Sequence, residues 1–291
     1  GIARGLRERV AALGSGAGMM HDVIPVIVDA NTLHDLQAAN PGPGGVVVAD
    51  VRWYLDGRDG RAAYEAGHLP GAVWVDLHHQ LAALDAPATE GRHPFPAPDH
   101  FAAAMGELGI GDDTVVVAYD DTGGLTAGRL VVMLRMLGRE AALLDGGLNA
   151  WTGEVHQGWA APVPTIFTAA PWPSDRLASA DETAALAAGD GVVMDARARD
   201  RFTGEVTQID PLPGHVPGAV NAPWAAVLGP DGRVRSIDEL RAHYAALGVR
   251  DDVPAVAYCG SGVSACMNIM AMEHAGFTPP RLYVASWSGW S

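Results

Sequence analysis

The chain alternates short apolar runs of four to six residues with longer stretches in which apolar positions recur at helical spacing. In the first half Val26–Val28, Val46–Val51, Ala72–Val75, Thr114–Tyr119 and Ala141–Leu144 have the β-branched and aromatic character of buried strands. Val192–Asp195 and Val253–Tyr258 have it in the second half. Asp59–Ala66, Asp99–Leu108 and Ala127–Leu137 are predicted as helices, and Asn31 is expected to cap a further short helix running through Gln37. Later, Ser179 is expected to cap a helix, Ser236-Ile-Asp-Glu239 forms a capping box, and Ser264–Met272 reads as a buried helix. Strands alternating with helices of this length predict an α/β fold, a mainly parallel sheet flanked by helices on both faces.

The pattern occurs twice. Gly67-His-Leu-Pro-Gly-Ala-Val73 returns as Gly214-His-Val-Pro-Gly-Ala-Val220, and Leu108-Gly-Ile-Gly-Asp-Asp113 returns as Leu247-Gly-Val-Arg-Asp-Asp252. Val117-Ala-Tyr-Asp120 returns as Val256-Ala-Tyr-Cys259, and Asp50-Val-Arg52 as Asp195-Ala-Arg197. Four matches in the same order, at separations of 139 to 147 residues, describe one domain duplicated in tandem. Pro162-Val-Pro164 and Pro171-Trp-Pro173 interrupt helix and ladder alike between the copies. The expected organisation is a leader over residues 1–20, a first domain over 21–155, a linker over 156–175 and a second domain over 176–291.

Composition narrows the partners. The formal net charge is −15, from 34 acidic and 19 basic residues, with no basic run, which argues against nucleic acid and anionic membrane. No apolar stretch approaches the roughly 18 residues of a membrane span, and residues 1–20 lack a signal-peptide core. Two cysteines make no disulfide framework and suit a reducing compartment, so a cytoplasmic location is expected.

Of those two, Cys259 carries the chemistry. It follows an apolar strand and precedes Gly-Ser-Gly-Val-Ser-Ala265 and a helix. At such a strand-to-helix turn the first helical N–H groups lack internal partners and the helix dipole leaves partial positive charge. A thiolate there is stabilised, so its pKa should fall below about 8.5. Gly260 and Gly262 let the backbone curl into a nest of donors around the sulfur. The first copy has Asp120 at the matching position and a loop one residue longer, so only the second copy is expected to be catalytic. Cys266, two turns along the next helix, reads as a core residue.

The paired Gly-His-Leu/Val-Pro-Gly-Ala motifs, Asp195-Ala-Arg-Ala-Arg-Asp-Arg-Phe202, Leu144-Asp-Gly-Gly-Leu-Asn-Ala-Trp151 and the Cys-Gly-Ser-Gly-Val-Ser-Ala loop together resemble the tandem-domain rhodanese sulfurtransferases over residues 24–291. The loop is similar to that of the 3-mercaptopyruvate sulfurtransferase branch, whereas thiosulfate-preferring members carry basic residues where Gly260 and Ser261 stand. The resemblance implies that Cys259 takes sulfur from a small-molecule donor as a persulfide and passes it to a thiol, a thioredoxin-like protein or cyanide, with no cofactor or metal, in a monomer. It also implies a Ser–His–Asp proton relay of Ser261, His68 and Asp59, and a donor carboxylate held by Arg201. Gly260, Gly262, Val263, Ser264 and Ala265 would line the donor.

The chain departs from that pattern at one point. A second arginine implied about nine residues after Arg201 is absent, leaving Arg197 or Arg199 as substitutes. The tail Ala285-Ser-Trp-Ser-Gly-Trp290 also departs slightly from a family Gly-Ser-Trp-Ser-Glu-Trp. Two rival functions are a non-turnover sulfur carrier and a cysteine phosphatase. The second needs a seven-residue loop closing on arginine, whereas position 265 is Ala.

Overall fold

The computed structural model describes residues 24–42, 44–210 and 212–291. The expected leader lies outside them. Two all-parallel sheets are present, one in each half. The first contains β1 (Ile27–Val28), β2 (Val46–Asp50), β3 (Val73–Trp74), β4 (Val115–Tyr119) and β5 (Ala141–Leu144), in the order β1-β5-β4-β2-β3. The second contains β6 (Val192–Asp195), β7 (Val220–Asn221), β8 (Ala255–Tyr258) and β9 (Arg281–Leu282), in the order β7-β6-β8-β9. An isolated parallel bridge from Leu177 to Leu282 extends this sheet where β1 extends the first. The central strands are buried on both faces, which explains their uninterrupted apolar runs.

The first half carries α1 (Ala30–Ala39), α2 (Gly60–Ala66), α3 (Leu77–Gln80), α4 (Pro98–Glu107) and α5 (Ala127–Met136). The second carries α6 (Ala180–Ala188), α7 (Arg199–Thr203), α8 (Ile237–Ala246), α9 (Ala265–His274) and α10 (Ser286–Trp290). Ser179 and Ser236 close capping boxes with Glu182 and Glu239. The cap of α1 is Asp29, whose carboxylate accepts from the Thr32 amide at 2.7 Å. Asn31 therefore lies inside that helix, which continues beyond Gln37. None of these helices is long and apolar enough to cross a membrane.

What places the site is the contact between α5 and α9. Both helices are buried on nearly every side, because each packs on its own sheet and on the other helix. Gly128 permits the close approach, since a Cβ there would lie 2.7 Å from Met270 Cε. The apolar core runs unbroken through this contact, joining Val131 and Met133 of one half to Met267 and Met270 of the other. Residues 152–173 form no helix or strand and strap back over the first half, where Thr165 N–H donates to Gly106 O and Thr168 bonds the Asp112 carboxylate.

Candidate active site

Cys259 stands immediately after β8, and its loop ends where α9 begins at Ala265. The C-terminal segment holds the loop from below. Cys259 N–H donates to Ser286 Oγ at 3.1 Å, and the carbonyls of Cys259 and Gly260 accept from Trp287 and Ser288 N–H. Gly262 has φ +75°, and a Cβ there would lie 2.5 Å from the Val284 carbonyl, so only glycine makes this turn without strain. The turn brings the Gly262 N–H to 3.1 Å from the Cys259 sulfur. Burial acts to raise the thiol pKa, but the Ser264 hydroxyl and the Ser261 and Ala265 amides outweigh it, and the pKa falls below its ordinary value. Ser264 makes no side-chain cap to α9, which leaves its hydroxyl for the sulfur.

The sulfur faces a cavity of about 570 Å3 between the halves. The first half lines it with Trp53, Leu55, His78, Leu84, Arg92, His93 and Leu125, and the second with Arg197, Arg201, Ile209, Trp224 and the loop residues 259–261, 263 and 264. Gly260, Val263 and Ser264 line this space beside Cys259 and Ser261, whereas Gly262 and Ala265 do not.

Ser261 has a histidine partner in the other half, but it is His93. His93 Nδ1 and Ser261 Oγ share a hydrogen bond of 2.8 Å, and His93 Nε2 lies 3.2 Å from His78 Nε2. Trp53 meets both imidazoles edge-on. Burial, then the charges of Arg129, His78 and Arg92, lower the His93 pKa to about 3, so its ring is neutral at working pH.

The expected relay through His68 and Asp59 is corrected by this geometry. His68 stacks on Tyr64, bonds the Tyr64 carbonyl through Nδ1 at 2.9 Å, and pairs its backbone with His156. His215 stacks on Phe202 and bonds the Phe202 carbonyl in the same way, so the repeated motif histidine is a turn brace in both copies. Asp59 caps α2 through the Arg61 and Ala62 amides, at the surface. Neither residue lines the cavity.

Arg201 reaches the cavity, but its guanidinium fork is occupied. Nε and Nη2 donate to the two oxygens of Asp210 at 2.8 and 2.6 Å. Asp210 stands nine residues after Arg201, where the family pattern implies an arginine. Arg197 bonds Asp195, Asp210 and the Gly214 carbonyl, and so cannot replace the missing arginine as a free binding group. Its counterpart Arg52 makes the same brace to Asp50 and the Gly67 carbonyl. Arg199 is exposed and does not line the cavity.

Arg129 of α5 is fully buried and ties the halves together at the loop. It donates to the carbonyls of Gly262, His93 and Leu81, at 2.8, 2.8 and 3.1 Å, and lies over the Phe95 ring. Burial lowers its pKa to about 10, which leaves it charged. Cys266 is buried with its thiol pKa pushed up to about 12 by burial, and its sulfur points to the Gly262 carbonyl. It is an inert core group. Sequence reasoning missed His93, His78, Arg92, Arg129 and Asp210. Only Asp210 left a trace, as an acid at the spacing where a base was expected.

The chain matches the rhodanese-like domain family twice, over residues 32–154 and 179–291. It is 40% identical over 260 residues to the "Probable 3-mercaptopyruvate sulfurtransferase" of Pseudomonas aeruginosa, covering 87% of this chain and 92% of that one. It is 36% identical over 253 residues to 3-mercaptopyruvate sulfurtransferase of Homo sapiens, covering 83% of each chain. The crystal structure of SseA from Escherichia coli, a 3-mercaptopyruvate sulfotransferase, superposes with a TM-score of 0.79 at 30% identity, covering 91% of this chain and 99% of that one.

Proposed function

Because the chain belongs to the rhodanese family, in its tandem-domain sulfurtransferase branch, we propose that it moves a sulfane sulfur from 3-mercaptopyruvate through a persulfide on Cys259 to a thiol acceptor. The observation that carries this reading is the Cys259 sulfur itself, held by the Gly262 amide on the wall of a cavity that both halves line. A depressed pKa supplies the thiolate, which is the attacking form.

The steps balance without an external oxidant. The Cys259 thiolate attacks the donor sulfur, an S–S bond forms, and the donor C–S bond breaks with its electron pair passing to the carbon of the leaving pyruvate enolate. The proton that the donor thiol carried ends on that carbon. Ser261, bonded to His93, is placed to move it, and His93 can return a proton through its neutral ring. His78 occupies the far nitrogen of His93 and fixes its orientation. The resulting persulfide anion keeps the amide donors of the thiolate. An acceptor thiolate, for which a thioredoxin-like protein in a cytoplasmic setting is the expected source, then attacks the outer sulfur and regenerates Cys259.

Thiosulfate is the second donor to be weighed, and a sulfur carrier without turnover is the rival function. One experiment separates them. The protein is incubated with each donor, the sulfide or thiocyanate released to dithiothreitol or cyanide is measured, and the intact mass is followed. Turnover with mercaptopyruvate, with one added sulfur on Cys259 as the transient species, is the expected result. A stable added sulfur without turnover would identify a carrier, and no added sulfur with either donor would remove the reading.

A further inference from the structure

The cavity holds three guanidinium groups, and the charge around them is distributed unevenly. Arg197 is enclosed by Asp195 and Asp210, and Arg201 closes its fork on Asp210. Asp210 is 6% exposed. Burial acts against its charge, but the hydrogen bonds and charges of Arg201 and Arg197 hold its carboxyl below the usual range, so it is ionised. Two arginines therefore face two carboxylates, and that half of the wall is neutral overall.

Arg92 is the remaining guanidinium. Among the described residues it is the one cavity arginine without a carboxylate partner; its Nη1 donates to the Ile209 carbonyl. It stands as close to the sulfur loop as Arg201 does. A Cβ on Gly260 would lie 2.9 Å from Arg92 Nη2 and 2.7 Å from Arg201 Nη2. Its backbone is fixed on both sides, since its N–H donates to Ser288 Oγ at 3.0 Å and the carbonyl of the next residue, His93, accepts from Arg129 at 2.8 Å. The remaining walls near it, Trp53, Leu84, Leu125 and Trp224, offer little to a second negative charge.

We propose that Arg92, from the first half of the chain, is the residue that receives the carboxylate of the donor, and that Asp210 determines specificity by occupying Arg201 with a carboxylate of the protein's own. This rests on the sulfurtransferase reading and names its donor class, small thiol acids with a single negative charge near the reacting sulfur. A dianion such as thiosulfate meets one free cation where it would need two. Sequence reasoning gave the carboxylate to Arg201, and the closed fork moves it across the cleft.

The test compares Arg92→Gln, Arg201→Gln and Asp210→Asn in the full chain. A charge-assisted hydrogen bond contributes about 1.5–3 kcal/mol, or about 10–100-fold in affinity. Arg92→Gln is therefore expected to raise KM for mercaptopyruvate by about that factor with kcat little changed, and Arg201→Gln to raise it less. Asp210→Asn is expected to improve kcat/KM for thiosulfate more than for mercaptopyruvate, because it frees a second positive charge. Pyruvate, an unreactive carboxylate, is titrated against the Cys259→Ser protein by following the fluorescence of Trp53 and Trp224. That titration, repeated with Arg92→Gln and Arg201→Gln added, reads the carboxylate site even if no donor is turned over, so failure of the sulfurtransferase reading is separable from failure of this one. An unchanged KM and unchanged pyruvate affinity in Arg92→Gln, with both weakened in Arg201→Gln, would overturn the proposal. Should Asp210→Asn fold poorly, the two arginine variants still decide it.

Discussion

Asp120 and Cys259 end equivalent strands, and the amides around them hold two different anions. In the first half the Asp120 carboxylate accepts from the N–H groups of Thr122, Gly124, Thr126 and Ala127 at 2.8–3.0 Å, and it is sealed from solvent. In the second half the corresponding turn surrounds a thiol that opens onto the cavity. One turn geometry thus serves as a staple in one copy and as the proposed reaction site in the other. The difference lies in the group each turn holds, a carboxylate or a thiol, and in whether that group opens onto the cavity. The flanking braces are alike in both copies. Tyr119 OH accepts from the Leu69 amide as Tyr258 OH accepts from that of Val216, and the two motif histidines stack and bond alike.

The largest effect should come from exchanging the two anions. Cys259→Ser is expected to reduce sulfide release to the detection limit, because the nucleophile is gone. Adding Asp120→Cys to that variant should not restore it, since residue 120 does not line the cavity. Recovered transfer would break the contrast between the loops.

Next come the histidines. Ser261→Ala and His93→Gln should each lower kcat by about 100-fold, as loss of a proton-transfer group does, with KM within about twofold. His68→Gln should leave kcat within about twofold, because that ring braces a turn. Steady-state kinetics on the three variants checks this, and a kcat loss in His68→Gln matching that of His93→Gln would return the relay to the motif histidine.

Asp120→Asn should lower stability by about 2–3 kcal/mol, since the hydrogen bonds weaken and one carboxylate oxygen is replaced by an NH2 donor facing buried N–H groups. The urea midpoint reports it, and the activity per folded molecule should be retained.

The smallest effects lie in pH. The acid limb of kcat/KM should fall below the ordinary thiol value of about 8.5, because the Cys259 pKa is depressed. In stability, the His93 pKa is about 3 when folded, below the value of about 6.5 for a free imidazole. As pH falls through that upper value the unfolded chain takes a proton that the folded chain refuses. His93 therefore costs stability increasingly from about pH 6.5 down to about pH 3. Urea midpoints between pH 7 and 4.5 should decline less steeply in His93→Gln than in the native chain.

The parallel sheets and the duplication were legible because each is written in short runs of adjacent residues, the duplication in runs that return later in the chain. Buried strands such as β4 and β8 show apolar runs, and Ser236 and Glu239 announce a helix start three positions apart. The two-residue strands β7 and β9, and the short helices α3, α7 and α10, are too brief to set up a period. His93 was hidden for a different reason. Its hydrogen bond to Ser261 spans 168 residues, and nothing local to the Gly91-Arg-His-Pro stretch distinguishes it, whereas the repeated motif drew attention to His68. Arg92 was hidden in the same way, since a free charge is known only once the partners of its neighbours are known.

Arg129 carries one more implication. Its single side chain grips the backbone beside the relay imidazole in its own half and beside the nucleophile in the other. Hinge opening of the two halves would tear the buried Gly262 carbonyl from this cation while leaving the cation tied to Leu81 and His93, so the cleft should keep its width while reactants come and go. It also means that the second half cut away from the first would keep the sulfur atom and lose the Arg129 and His93 contacts that hold its loop.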